Sequence, residues 1–160
     1  MKNLVMLMNV IMFICFFEVT AFGQNPQSFP MPIMAGEEMK CNQGNSNSYS
    51  HDGKREYAWD FSLADTGGDS DMGLPVVSSV DGRVMYAEDY NPRIDGREGE
   101  NSDPWGECVV VSCSWCDPKE QAALIGHLDQ IFVRPGEMVK RGQVIGLMGD
   151  ADGYYSAHIH

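Results

Sequence analysis

All four histidines of this chain stand where a single metal ion could use them. His158 and His160 are separated by one residue, so in a β-strand both imidazoles would point to the same face. Upstream, His51 precedes Asp60, and His127 lies between apolar runs in the tripeptide Gly-His-Leu. Two histidines and a carboxylate around an ion, with further histidines free for proton transfer, are typical of a catalytic zinc site with an open coordination position.

A single histidine in a strand-rich domain is more often a structural residue than a ligand. The occurrence of all these histidines and the aspartate together nevertheless favours a metal site. The helical HExxH signature of many metalloproteases does not occur in the sequence. Any zinc ligands must therefore come from strands and loops.

The first 23 residues have the features of a secretory signal peptide. Lys2 precedes an apolar run over 4–17, and Ala21-Phe22-Gly23 has the small-x-small form of a cleavage site. The apolar run is shorter than the roughly 20 residues that span a bilayer, so cleavage is expected rather than anchoring. We expect a secreted or periplasmic protein without stable membrane insertion after cleavage.

Four cysteines follow the predicted leader, and an even number in an exported chain favours disulfides. Cys113 and Cys116 could close a tight turn, which would leave Cys41 to pair with Cys108 and tie the amino-terminal arm to the sheet. The alternative is a thiolate zinc site, but the chain has only one CxxC pair.

The chain carries a formal net charge of −12 and has a sequence pI near 4.5. Such a chain repels nucleic-acid phosphates and anionic lipid surfaces. Polynucleotides are therefore excluded as expected partners.

Residues 24–45 are rich in proline and polar side chains, show no helical or strand periodicity, and predict an extended arm or linker. The domain then covers 46–160. Within it, Tyr57, Trp59 and Phe61 alternate with polar neighbours, which predicts a half-buried strand with its aromatic face opposite Asp60.

Short strand-like runs separated by Gly, Pro and Asp predict an all-β domain with an antiparallel sheet, either a sandwich or a folded-over barrel. The segments 74–84 and 134–146 are weakly similar, and each predicts a strand, a glycine turn and a second strand. The predicted strands are Pro75 to Val80, Gly82 to Ala87, Cys108 to Cys113, Ala122 to Leu128, Gln130 to Val133 and Gln143 to Met148.

Two acidic, turn-rich insertions interrupt these strands, at 65–72 and 88–107. Their carboxylates could hold calcium, but the spacing does not match an EF-hand loop. Solvated loops are the favoured interpretation for both, including Asp65, Asp69 and Asp71.

An ordered series of motifs runs through 46–160. The motifs are Ser50 to Gly53, Tyr57 to Phe61, Gly73 to Val76, Asp81 to Val84, Gly126 to Leu128, Val139 to Gly146 and His158 to His160. This series resembles the lysostaphin-type zinc endopeptidases. The resemblance implies an antiparallel β domain of the duplicated hybrid motif type, related to a barrel-sandwich. It also implies one zinc ion per chain and hydrolysis of peptide bonds in bacterial cell-wall peptidoglycan.

Carried over residue by residue, the resemblance makes His51, Asp60 and His160 the zinc ligands. His127 and His158 would be the catalytic pair, with the roles of general base and oxyanion stabiliser left undivided between them. Zinc would activate a water for attack on the scissile carbonyl.

Two other functions compete with this interpretation. A catalytically silent relative would bind peptidoglycan or activate another wall hydrolase, but such proteins usually lack a ligand and this chain retains the set. A biotinyl-type carrier would need a modifiable lysine at a hairpin tip, and Lys140 before Arg141-Gly142 lacks that context.

The chain departs from the resembled pattern in two respects. Eight residues separate His51 from Asp60, more than in many members. The family normally continues from the HxH motif into a further strand, so we expect a domain that is incomplete at its carboxyl end, with the last strand missing.

Overall fold

The computed structural model of the protein describes residues 29–46, 50–64, 68–90, 105–116 and 121–160. The predicted leader and most of the acidic insertion 88–107 lie outside these residues. Within the described ranges, no helix has both the length and the apolar character needed to cross a membrane.

The described residues form an almost entirely β structure with antiparallel pairing, which confirms the predicted class. Two single-turn 3₁₀-helices, Gly53–Arg55 and Gly68–Asp71, flank the second strand. The strands are β1 Met39–Gln43, β2 Asp60–Leu63, β3 Pro75–Val77, β4 Gly82–Tyr90, β5 Gly106–Ser112, β6 Ala122–Ile131, β7 Met138–Val139 and β8 Val144–Met148.

Each of the two similar sequence segments contains two strands, β3 and β4 in the first and β7 and β8 in the second. Within one six-stranded sheet, the strands of each segment pair with strands of the other segment rather than with each other. The strand order is β3-β8-β6-β5-β4-β7, so β3 pairs with β8 and β4 pairs with β7. This exchange curls the sheet into a half-barrel, with β1 and β2 as a separate two-stranded sheet.

The core fills the inside of the curled sheet with branched aliphatic side chains, which suit a pleated surface. Each such side chain contributes about 1.5–3 kcal/mol when fully buried. Ile159, the middle residue of the HxH motif, is 1% exposed and so joins this core. Val76, Val80, Val84, Val109, Val111, Val139 and Ile145 are buried with it.

β1 lies inside the segment 24–45 that the sequence predicted to be an extended arm or linker. It pairs antiparallel with β2, Cys41 facing Phe61, although its side chains are mostly exposed. The segment has no strand periodicity because backbone pairing, not burial of alternate side chains, forms this strand.

The aromatic strand predicted from Glu56 onward begins only at Asp60, because a 3₁₀ turn and a following turn occupy the preceding residues. Trp59 and Phe61 stack at 6.2 Å with rings 5° apart, so they do share a face. The predicted burial is reversed, however: Tyr57 is 77% and Trp59 47% exposed, whereas Asp60 is 8% exposed. The carboxylate face of the strand turns inward, toward the histidines.

Of the two predicted cysteine pairs, the structure contains one. The sulfurs of Cys113 and Cys116 are bonded at 1.99 Å. Cys41 and Cys108 are not joined, which corrects the second pairing. Cys41 is exposed on the two-stranded sheet, whereas Cys108 is buried in β5 of the six-stranded sheet.

Candidate metal and catalytic site

The three residues that the sequence singled out as ligands lie together. The Asp60 Oδ1 atom is 3.2 Å from His51 Nε2 and 3.0 Å from His160 Nδ1. One potential ligand atom from each of the three residues lies within 4.8 Å of the other two. The structure thus brings together residues more than 100 positions apart in the sequence.

His51 has its ring orientation and tautomer set by the backbone. Its Nδ1 lies 2.9 Å from the carbonyl oxygen of Gly44, and since a carbonyl only accepts, Nδ1 must donate. The neutral ring therefore carries its lone pair on Nε2, which faces Asp60. A ligand histidine whose other nitrogen donates to a carbonyl is the usual arrangement at protein metal sites.

An isolated β-bridge places the HxH motif beside Asp60. The N–H of Ile159 donates to the Phe61 carbonyl at 2.9 Å, and the N–H of Phe61 donates to the Ile159 carbonyl at 2.9 Å. Because side chains alternate along extended backbone, burying Ile159 turns His158 and His160 to the opposite face. That face is the one carrying Asp60.

A second cluster shares His160 with the first. Potential ligand atoms of His127, His158 and His160 also lie within 4.8 Å of one another, and the ring centroids of His127 and His158 are 4.7 Å apart. His127 Nδ1 is 3.1 Å from the Trp105 carbonyl, and His158 Nδ1 is 2.7 Å from the Ser156 carbonyl. Both Nδ1 atoms must therefore donate, which leaves Nε2 as the proton acceptor of each neutral ring.

His127 sits in a strained backbone position. Its φ of 58° is left-handed, a conformation that non-glycine residues adopt rarely and often at functional sites. The Trp105 carbonyl accepts its N–H at 2.8 Å, and the His127 carbonyl accepts the N–H of Gly149 at 2.8 Å.

The sequence predicted two strands in this region, 122–128 and 130–133. The structure has one strand, β6, whose register shifts against both of its neighbours, β5 and β8.

The site holds one carboxylate among imidazoles, and the electrostatics follow from that. Burial by itself raises the pKa of Asp60, but the contact with His160 and the charges of His158 and His51 outweigh burial and lower this pKa overall. For His127, burial is the main cause and the neighbouring histidines add to it, lowering its pKa to about 3. His127 is therefore neutral at pH 7.

This neutral histidine predicts a pH dependence of stability in the metal-free protein. Between pH 3 and the ordinary histidine pKa of 6.5, the His127 side chain is protonated in the unfolded chain but stays neutral in the folded protein. The free energy of unfolding is therefore expected to fall as the pH drops below about 6.5, with a slope of up to about 1.4 kcal/mol per pH unit.

Urea unfolding of the wild type and of His127→Asn between pH 4 and 8, with chelator present, measures this dependence. Asp60 contributes only at the acid end of this range, because a carboxyl with a lowered pKa acts below about pH 5, and it is present in both proteins. An identical slope in the two proteins would contradict the assignment of a buried neutral imidazole.

The residues fit a metal ion by their unsatisfied atoms as well as by their types. His51 Nε2 and His160 Nε2 are buried without a hydrogen-bond partner, whereas buried polar atoms in proteins usually have one. Two imidazoles and one carboxylate are a known donor set for catalytic zinc.

Two residues near the site were not recognised from the sequence. The Trp105 ring packs against His160 at a centroid distance of 4.8 Å, and the Tyr155 ring lies 4.8 Å from His127. Neither residue carries a spacing signal that would have found it. Asp71, predicted to lie in a solvated loop, is 1% exposed and accepts the Leu63 N–H at 2.7 Å, which supports β2.

Comparison with known proteins is consistent with this architecture. Residues 66–160 match the model of peptidase family M23. A search of curated protein sequences found no match.

Solved structures share the fold at low identity. The catalytic domain of lysostaphin from Staphylococcus simulans is 20% identical, with 78% of this chain and 77% of that one covered and a TM-score of 0.51. A putative glycyl-glycine endopeptidase LytM from Ruminococcus gnavus is 22% identical (82% and 50% covered, TM-score 0.56). A zinc-containing peptidase from Vibrio cholerae is 22% identical (81% and 34% covered, TM-score 0.52), so this chain spans about a third of that protein's length.

These likenesses show a common fold, and the family model covers more than half of the sequence, including three of the four histidines. The chain belongs to peptidase family M23.

Proposed function

We propose that the protein is a zinc-dependent endopeptidase that hydrolyses peptide bonds of bacterial cell-wall peptidoglycan. The observation that carries the proposal is the convergence of four histidines and one aspartate on two overlapping donor clusters. Membership of a peptidase family supports the reaction class. Lysostaphin and the LytM-like endopeptidase, which share the fold, support the choice of cell-wall peptides.

In this proposal His51, Asp60 and His160 hold one zinc ion. His51 contributes Nε2, because its Nδ1 is used by the Gly44 carbonyl. The Asp60 carboxylate lowers the net charge of the site, and its lowered pKa keeps it ionised. When bound, zinc supplies Lewis acidity that lowers the pKa of water toward neutrality and polarises a carbonyl oxygen.

His127 and His158 move the proton of the attacking water. Both present a basic Nε2, because their Nδ1 protons are donated to backbone carbonyls. His127 is neutral at pH 7 and so is ready to accept a proton. The proton taken from the water then passes to the departing amine nitrogen, so the pair acts first as base and then as acid.

The complete set of side chains favours an active enzyme over a silent, peptidoglycan-binding relative. The predicted leader further supports the proposal that the enzyme acts outside the cytoplasm, in the periplasm or after secretion.

Purified protein is expected to contain about one zinc per chain and to release new amino groups from isolated peptidoglycan. A zinc chelator should abolish the release, and added zinc should restore it. Mass spectrometry of the products then separates cleavage in a glycine bridge from cleavage in a stem peptide. Zinc-loaded, folded protein that releases no amino groups from any peptidoglycan type would contradict the proposal and favour the silent relative.

A further inference from the structure

We propose that Tyr155 is a positioning residue that holds the rings of His127 and His158 in their working orientation. This inference rests on the proposed function for its activity test, but its structural basis is separate. The Tyr155 ring centroid is 4.8 Å from that of His127 and 5.7 Å from that of His158. One half-buried aromatic ring therefore contacts both members of the candidate catalytic pair.

The backbone before Tyr155 is held in an uncommon shape. Ala151, Asp152 and Gly153 are successive left-handed residues, with φ of 55°, 61° and 76°. The Gly153 N–H donates to Asp150 Oδ1 at 2.8 Å, and the Tyr155 N–H donates to the Asp150 carbonyl at 2.9 Å. Non-glycine residues keep such conformations where the surrounding structure over-determines them, often at functional sites.

Backbone hydrogen bonds at Gly149 join the start of this loop to both members of the candidate catalytic pair. The Gly149 N–H donates to the His127 carbonyl at 2.8 Å, and the His158 N–H donates to the Gly149 carbonyl at 3.2 Å. Ala151 is buried, and its Cα would lie 2.8 Å from a Cβ added to Gly106. The loop thus has little room to shift, and this fixes the position of Tyr155.

The Nδ1 hydrogen bonds of His127 and His158 each fix one ring atom to a carbonyl. A ring held at one atom can still swing about that contact. Edge or tilted aromatic contacts restrict this swing, and the Tyr155 ring makes such a contact with each of the two imidazoles.

The test compares Tyr155→Ala and Tyr155→Phe with the wild type, and uses Tyr57→Ala, at a 77% exposed tyrosine, as the matched control. Tyr155→Ala is expected to lower kcat by about 10- to 100-fold, the size of effect that misplaced catalytic groups produce. KM and zinc content should hardly change, because the Tyr155 ring packs against the candidate catalytic pair, His127 and His158. Tyr155→Phe keeps the ring and should restore kcat to near the wild-type value, and Tyr57→Ala should match the wild type.

A second readout does not depend on activity. In protein with ¹³C-labelled histidine, ring signals of His127 and His158 should broaden or split in Tyr155→Ala, and stay sharp in Tyr155→Phe. The His51 signal is the internal control. If Tyr155→Ala fails to fold, Tyr155→Leu, which keeps apolar bulk but no flat ring, replaces it with the same expectations.

Unchanged kcat and unchanged histidine signals in the alanine variant would overturn the proposal. A phenylalanine variant as impaired as the alanine variant would also overturn it, since the hydroxyl rather than the ring would then act. If the wild type cleaves no peptidoglycan, the proposed function fails, and the histidine signals alone decide the role of Tyr155.

Discussion

Replacing Asp60 with asparagine is expected to lower zinc affinity by at least about 100-fold and peptidase activity on the order of 10³-fold. The change keeps the shape of the side chain but removes the one negative charge among three imidazoles, whose nitrogens lie 3.0, 3.2 and 3.9 Å from Asp60 Oδ1. Titration with a competing chelator measures the affinity, and release of amino groups from peptidoglycan measures activity.

Asp52→Asn is the matched control for this prediction. This substitution removes the same charge from a side chain that is 69% exposed. At the surface, Asp52 Oδ1 lies 3.8 Å from Nη2 of Arg55. The control should bind zinc and cleave as the wild type does. Full zinc occupancy in Asp60→Asn would contradict the assignment of this carboxylate as a ligand.

The second large effect concerns His127. His127→Asn is expected to lower kcat by about 10²- to 10⁴-fold, the usual contribution of a general acid–base, while zinc affinity remains near that of the wild type. Asparagine is chosen because it tolerates the left-handed backbone at this position, φ 58°. Thermal melting establishes that the variant is folded, and zinc content establishes that the ligand cluster is intact.

Taken together, the two variants decide between the overlapping clusters, which share His160. If zinc lies with His51, Asp60 and His160, the aspartate variant loses the metal and the His127 variant keeps it. The opposite pattern would place the ion with His127, His158 and His160 and would exchange the roles proposed above.

The strands of the six-stranded sheet were predictable because their signals are local. Gly82–Tyr90 and Val144–Met148 are runs bounded by turn residues, and the similarity of 74–84 to 134–146 indicated paired units. β1 could not be predicted in this way, because its mostly exposed side chains do not alternate between apolar and polar residues. The burial of Trp59 relative to Asp60 was predicted the wrong way round, since alternation says which residues share a face but not which face is covered.

The sequence by itself determined the chemistry available to this protein: an HxH motif, a GHL tripeptide, and a histidine and aspartate upstream. Residue type and short-range alternation are properties of neighbouring residues, so they can be read from the chain. Only the tertiary structure decided which nitrogen of the His127 ring can accept a proton, because the carbonyl that accepts its Nδ1 proton belongs to Trp105, 22 residues away. The same holds for Tyr155 beside His127: contacts between distant segments depend on how the sheet curls, and no local pattern records that.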